Sequence, residues 1–250
     1  VRLGLTLALG SLLPAPSIAQ DGLLDGNFAD AGFQHFSPEA MSARTLAFNA
    51  VRTLPDGSLL AAGFVDRSLP IPFSEPDYRV VIAKLRPDGS PDPLFGSVRM
   101  HPGLVILDSL QVGARIQEAK SIALLAAGSV VIGGLLEAWS FGGFTMKISS
   151  SGRIDDTYGV SGIALLPFQV HDLAVDSEQR VVVAGRARHQ LPISLAVVAR
   201  LNGATGALDP TFAEGGMVEL LEYAPDGSVL DRQGHFATVA LTADDAIIAG

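Results

Sequence analysis

The phrase ALDPTF at residues 207–212 decides the fold of this chain, because the same pattern occurs three more times. The other copies are LLDGNF at 23–28, SPDPLF at 90–95 and RIDDTY at 153–158. In every copy an aspartate stands three residues before an aromatic residue: Asp25 and Phe28, Asp92 and Phe95, Asp155 and Tyr158, Asp209 and Phe212. A glycine precedes each aspartate by three residues. A pattern that returns about every sixty residues identifies a repeat architecture.

The segments between these phrases read as short strands. An apolar run follows the phrase, for example IALLPF at 163–168. A second run leads through a turn into a third that ends in glycine, as in HDLAV at 171–175 and RVVVAG at 180–185. A fourth run carries a basic residue, as in LAVVARL at 195–201. Short runs rich in Val, Ile and Leu and bounded by turn residues are typical of β-strands, and the closing glycines indicate a β-bulge or a close backbone approach.

Four short antiparallel strands per repeat predict one blade of a β-propeller. We therefore expect an all-β fold, a β-propeller-like array of four-stranded antiparallel blades with three full units and one incomplete. The units are predicted at about 21–90, 91–152, 153–206 and 207–250. Because a single blade leaves both faces uncovered, neighbouring blades must stack. Helical periodicity is credible only for 111–125, where the position in the repeat favours a strand.

The repeat phrase is expected to form the junction between blades. Its aromatic residue supplies a large apolar surface for packing between them, and its aspartate is suited to accept backbone N–H bonds in a turn. The basic residues Lys84, Lys147 and Arg200 stand eight or nine residues before a repeat aspartate. We expect each of them to pair with a carboxylate, and a solvated edge position is the alternative.

The repeat runs in the order Gly-x-x-Asp-x-x-Phe-Gly, a second glycine, an Asp-Gly turn, a strand ending in Ala-Gly and then Arg-Leu. This order resembles the delta-60 repeat family of bacterial secreted and surface proteins. The copy ALDPTFAEGGMV at 207–218 matches this order best, and the resemblance extends from about residue 21 to residue 250. The second copy departs from it, with Pro91 before the aspartate and Arg99 at the later glycine position. The resemblance implies a β-propeller-like array, and it transfers no catalytic residue.

Residues 1–19 read as a secretory signal peptide, because Arg2 precedes an apolar stretch and Ser17-Ile18-Ala19 has the small-x-small form of a cleavage site. A buried N-terminal helix is the alternative. Elsewhere no segment is long and apolar enough to predict a membrane span.

The net charge is −9 and Lys and Arg are not clustered, which argues against a nucleic-acid partner. The absence of cysteine excludes disulfides and thiolate chemistry.

No catalytic, cofactor-binding or metal-binding residue is predicted. The five histidines are scattered along the sequence, and their convergence at a propeller centre is the less favoured alternative to turn positions. Asp155-Asp156 and Asp244-Asp245 offer oxygens to calcium, yet they lack the spacing of a calcium loop, so turn formation is preferred. Four aromatic residues between strands are candidates for a binding surface: Phe73, Tyr78, Trp139 and Phe141.

The leading hypothesis is a secreted, non-catalytic repeat scaffold or binding module for a protein or glycan ligand, located extracellularly, in the periplasm or on the cell surface. The alternatives are a hydrolase or lyase with a central propeller site, and a structural spacer at the cell surface. The fourth unit reaches Gly250 before its basic strand, and a propeller avoids open strand edges. This predicts that the array continues into further C-terminal repeats.

Overall fold

The fold is an all-β array of antiparallel sheets. A computed structural model describes residues 24–38, 41–70, 77–96, 101–107, 116–136, 142–188, 194–220 and 234–250. Three four-stranded sheets and one two-stranded sheet follow one another along the chain, and in each sheet the strands pair in sequence order. This arrangement confirms the predicted β-propeller-like array of four-stranded antiparallel blades. Within the described ranges, no helix has the length and apolar character that crossing a membrane requires.

The strands group into four blades. Blade 1 consists of β1 (Thr45–Thr53), β2 (Leu59–Asp66), β3 (Tyr78–Leu85) and β4 (Leu104–Ile106). Blade 2 consists of β5 (Ile116–Leu124), β6 (Val130–Leu136), β7 (Gly143–Ile148) and β8 (Ile163–Leu166). Blade 3 consists of β9 (Phe168–Val175), β10 (Val181–Arg188), β11 (Ser194–Leu201) and β12 (Met217–Leu220). The described part of blade 4 consists of β13 (Val239–Leu241) and β14 (Ile247–Ala249). Strand β5 confirms the strand prediction for this part of 111–125.

The sheets and the sequence repeat are out of phase. In each complete blade the repeat phrase stands between the third and fourth strands, as Asp155–Tyr158 does between β7 and β8. The fourth strand of a blade is therefore the apolar run that follows the phrase, and it pairs backward with the third strand. The phrase thus lies inside a blade, although the sequence predicts that it joins two blades. In the copies at 92–95 and 155–158, the aromatic residue and the glycine after it contact the neighbouring blade.

Consecutive apolar residues of the central strands pack into different layers. On β3, Val80 and Ile82 pack in the layer between blades 1 and 2, whereas Val81 lies in the layer on the other side of blade 1. On β10, Val181 faces blade 2 and Val182 faces blade 4. Because side chains alternate between the two faces of a strand, a strand buried on both sides requires an unbroken apolar run. Each fully buried side chain of this size contributes roughly 1.5–3 kcal/mol.

The two ends of the blades differ in regularity. At one end, which we call the turn end, the turns 54–58, 125–129, 176–180 and 242–246 join the first and second strands. In each turn the first residue donates its N–H to the carbonyl of the last, over 2.8–3.0 Å. At the opposite end, the loop end, connections of unequal length join the second and third strands. The turn end therefore repeats one geometry, whereas the loop end varies from blade to blade.

Candidate functional site on the first strands

The repeat aspartates bind the turns that follow them. Asp209 accepts the Thr211 N–H through Oδ1 at 3.0 Å, and its Oδ2 accepts the Arg200 Nε–H at 2.8 Å. The Thr211 hydroxyl and the Arg200 guanidinium hold the pKa of Asp209 below 3.8. The other two complete blades repeat the ion pair, between Lys84 and Asp92 at 3.2 Å and between Lys147 and Asp155 at 3.0 Å. In the first copy Asp25 accepts the N–H of Asn27 at 2.9 Å.

Three of the four repeat aromatics bind the part of the chain that carries them to the blade that follows. Phe95 is 1% exposed and packs on Gly152, where an added Cβ would lie 2.9 Å from the ring. The N–H of Gly96 donates to the Ser151 carbonyl at 3.1 Å. We call this pair of contacts the blade latch, and two further latches join Phe28 to Gly89 and Tyr158 to Gly206. The glycines of the second, third and fourth copies are therefore each required by the aromatic residue of the repeat before.

The fourth aromatic residue has a different environment. Phe212 is only partly buried, and the Arg200 guanidinium lies over its ring at 4.9 Å from the centroid. The repeated aspartates, aromatics and glycines therefore serve the scaffold in every described copy. Chemistry specific to this protein must come from side chains that do not recur.

A β-bulge recurs in the first strand of each complete blade, and it presents a different side chain each time. The register of β1 skips Asn49, that of β5 skips Lys120 and that of β9 skips His171. The glycine at which the sequence predicts the end of the second strand lies inside that strand, opposite the bulge. A Cβ at Gly185 would lie 1.9 Å from the Gln169 carbonyl oxygen. The closing glycines thus confirm the predicted bulges. Bulges re-aim side chains, and they are frequent beside functional sites.

The first strands form a row in which polar side chains connect one blade to the next. Asn49 donates to the Ala119 carbonyl at 2.8 Å, which joins blade 1 to blade 2. Asp172 joins three blades, because it accepts the Ser121 hydroxyl at 2.6 Å through Oδ1 and the Thr238 hydroxyl at 2.9 Å through Oδ2. Its oxygens also accept the backbone N–H groups of Leu173 and Val239. Asp172 is thereby held as a structural carboxylate.

Two histidines from different blades meet in this row. The rings of His171 and His235 lie edge to face, with centroids 5.5 Å apart. His171 Nδ1 lies 3.1 Å from the Phe236 carbonyl oxygen, and because a carbonyl can only accept, the neutral imidazole carries its proton on Nδ1. Partial burial lowers the pKa of His171 below 6.5 against the effect of this bond, and the charges of Lys120 and Arg186 lower it further. His171 is therefore uncharged at neutral pH.

The structure brings together residues that sequence reasoning did not select. Convergence of histidines was the less favoured alternative, yet His171 and His235 are in contact. The signal in the sequence was the glycine of the second strand, because it marks the bulge opposite it, and the bulged residue is polar in each complete blade. The described residues contain no group of three or more His, Cys, Asp or Glu side chains that could hold a metal ion.

The aromatic residues selected from the sequence are only partly covered by the described ranges. Tyr78 begins β3 at the loop end, and its ring packs edge-on against Phe64 at 5.5 Å. Phe73, Trp139 and Phe141 lie outside the described residues. The connections that contain them join the second and third strands of blades 1 and 2, as the ends of those strands require.

Comparison with known families supports the fold. Among curated proteins, none matches this sequence. Residues 54–95, which run from the first turn of blade 1 to the latch aromatic Phe95, match the family described as "Domain of unknown function (DUF5122) beta-propeller". The match covers strands β2 and β3 of blade 1. By the match and by its own sheets, this chain is similar to β-propeller repeat proteins.

Proposed function

We propose that the protein is a secreted, non-catalytic binding module built on delta-60-type repeats. One observation carries the proposal: the polar side chains that differ from blade to blade gather along the row of first strands. Lys120 and His171 occupy the same bulge position in adjacent blades, and His235 lies against His171. A scaffold that holds one backbone geometry while it varies one side chain is suited to ligand recognition.

The loop end is the side on which we expect the ligand. His171 lies in the half of β9 nearer this end, and His235 precedes β13 there. The turn end offers less variation, because the same turn hydrogen bond occurs in all four blades and the ion pair recurs in the three complete blades. The proposed ligand is a protein or a glycan that contacts both the first strands and the loops of this end.

An enzyme with a central propeller site is the second candidate function. The contact of His171 with His235 favours it, because a neutral imidazole with its proton on Nδ1 leaves Nε2 as a base. The nearby Asp172 is held by hydrogen bonds to both of its oxygens, so it does not serve as a free carboxylate beside these rings. Binding is therefore the preferred function.

The proposal includes export. The apolar N-terminal stretch supports export, and fusion of residues 1–19 to a reporter that lacks its own signal should send the reporter out of the cytoplasm. Retention of the reporter in the cytoplasm would contradict export.

The binding function is tested with glycan and peptide arrays. The full chain is applied beside the variants Lys120→Met, in the row of first strands, and Arg153→Met, an exposed residue near the turn end. We expect a retained ligand whose signal falls in Lys120→Met and is unchanged in Arg153→Met. Conversion of that ligand into a product would favour the enzyme. Absence of any retained ligand, with secretion intact, would favour the surface spacer.

A further inference from the structure

The turn end of blade 3 differs from that of blades 1 and 2. In each complete blade a second turn follows the third strand, and its first residue donates its N–H to the carbonyl of its last residue. This turn spans five residues in blades 1 and 2, at 86–90 and 149–153, and six residues in blade 3, at 202–207. The first turn of blade 3 also ends in Arg180, where those of blades 1 and 2 end in serine. Two departures from the repeat therefore occur at one end of one blade.

These two departures line a pocket. The two turns touch at Gly203, where an added Cβ would lie 2.0 Å from the Gln179 carbonyl oxygen. Arg180 and Asn202 adjoin this contact, and both line a pocket of about 380 Å³. Ligand pockets range over roughly 300–1,000 Å³, so a pocket of this size suits a single ring.

Two polar side chains of the longer turn are fixed by its backbone. Asn202 Oδ1 accepts the N–H groups of Ala204 and Thr205 at 2.9 and 3.0 Å, which orients the carboxamide. Thr205 Oγ1 accepts the Ala207 N–H at 3.3 Å, so the hydroxyl proton is directed elsewhere. Asn202 Nδ2 and the Thr205 hydroxyl are the donors that this turn offers to a ligand. Donors held in this way lose little conformational freedom on binding.

The charged groups around the pocket are paired with one another. Arg180 forms ion pairs with Asp176 at 2.7 Å and with Glu178 at 3.0 Å. Asp209, which also lines the pocket, forms an ion pair with Arg200 at 2.8 Å. Two guanidinium groups thus stand against three carboxylates, and this balance disfavours an anion. Because the carboxylates already have cationic partners, an added cation gains little, and the pocket suits an uncharged ligand.

We propose that this pocket binds a neutral sugar unit of a glycan. Arg180, Asn202 and Thr205 supply hydrogen-bond donors for the ring hydroxyls, and hydrogen bonds from a charged guanidinium are strong. Leu208 and Pro210 supply apolar surface for the C–H groups of the ring. The inference goes beyond the proposed function, because it places a second site at the end of the blades opposite the loops.

The test is an NMR titration of the full chain with the methyl glycosides of glucose, galactose and mannose. We expect one of them to cause chemical-shift changes centred on Asn202, Thr205 and Ala207, with a Kd on the order of 1 mM for a ligand of this size. The uronate of the preferred sugar should bind several-fold more weakly, because it brings a negative charge to the paired carboxylates. Equal or tighter binding of the uronate would overturn a site for a neutral ligand, and so would the absence of shifts with all three glycosides.

Matched variants locate the sugar. Ala207 is exposed and lines the pocket, so Ala207→Trp should fill it and lower the affinity about tenfold or more. Arg153 ends the corresponding turn of blade 2, and Arg153→Trp should bind like the wild type. Thr205→Val keeps the shape of the side chain without its hydroxyl, and it should lower the affinity about threefold to tenfold. Unchanged affinity in Ala207→Trp would show that the sugar binds elsewhere and would overturn the proposal.

A further variant separates this site from the one on the first strands. Lys120→Met should bind the glycoside like the wild type, because Lys120 lies on β5 of blade 2, away from the turns that line the pocket. An array ligand that depends on Lys120, in a protein whose pocket responds to none of the glycosides, would leave the binding module standing and exclude the sugar pocket.

Discussion

Ser121 and Asp172 follow the bulge in adjacent blades, and the Ser121 hydroxyl donates a 2.6 Å hydrogen bond to the Asp172 carboxylate. The second oxygen of this carboxylate receives the Thr238 hydroxyl of blade 4. One charged side chain thus holds three blades in register along the row of first strands. The stacking of blades depends on directional polar bonds at this row as well as on apolar layers.

Removal of this carboxylate should destabilise the array. Asp172→Ala leaves the Ser121 and Thr238 hydroxyls and two N–H groups without their acceptor, and hydrogen bonds to a charged group are worth more than neutral ones. We expect the free energy of unfolding to fall by about 3 kcal/mol, measured by urea denaturation. The exposed Asp156→Ala should change it by less than about 0.5 kcal/mol. Equal losses in the two variants would contradict a role for Asp172 as a blade connector.

The blade latch predicts a steric cost at Gly152. Gly152 and Gly128 both have positive φ, +81° and +75°. An added Cβ at Gly152 would lie 2.9 Å from the Phe95 ring, whereas one at Gly128 would lie 3.8 Å from its nearest neighbour. Gly128→Ala should cost about 1 kcal/mol of backbone strain. Gly152→Ala should cost about 1–3 kcal/mol more, because it overpacks the latch.

A double-mutant cycle identifies the source of this cost. Phe95→Leu shortens the side chain that the new methyl group would meet, so the combination with Gly152→Ala should lose less stability than the sum of the single changes. Thermal unfolding measures all three variants. Strict additivity would show that the strain does not come from the ring.

The ion pair of Arg200 and Asp209 predicts a pH-dependent contribution. The guanidinium bonds the Asp209 carboxylate directly, so Arg200→Met should lower the free energy of unfolding at neutral pH. The Thr211 hydroxyl and Arg200 lower the pKa of Asp209, so this stabilisation is present above 3.8 and is lost as the pH falls through the folded-state pKa. Urea unfolding at neutral and acid pH measures the difference, with Arg153→Met as the control. A difference that is independent of pH would contradict this assignment.

Tyr158 predicts a loss of stability in alkali. Its buried hydroxyl lies 2.9 Å from the Thr145 hydroxyl, and burial raises its pKa to about 12. The folded chain therefore keeps a proton that the unfolded chain releases near pH 10, so stability falls by roughly 2–3 kcal/mol between pH 10 and about pH 12. Tyr158→Phe should be less stable at neutral pH and should show a smaller alkaline loss. An identical alkaline slope in the variant would assign the loss to other groups.

Local features of the fold could be predicted from the sequence because they depend on neighbouring residues. The turn aspartates, the apolar strands and the bulges opposite glycines such as Gly185 all follow from local backbone requirements. The phase of the blades could not be predicted in this way. Every sixty-residue unit contains the same four runs, so periodicity does not reveal whether the run at 163–166 pairs backward with β7 or forward with β9.

The candidate site depends on contacts that sequence spacing does not encode. His171 and His235 belong to different repeats, and they meet only because the first strands of adjacent blades lie side by side. Asp172 has no counterpart of the same type in the other copies, so no repeat pattern marks it. Residues that recur were easy to find and serve the scaffold, whereas residues that do not recur form the site.

The offset between sequence repeat and sheet affects how this protein responds to mechanical force. Each sequence repeat begins with an apolar run that becomes the fourth strand of the preceding blade. Strand β8 does this for blade 2 and β12 for blade 3. A force that extends one sequence repeat therefore removes the fourth strand from the preceding blade. It breaks the Phe95 or Tyr158 latch at the same time. Under tension, we expect each unfolding step to involve two adjacent blades, so that the blades do not unfold independently of one another.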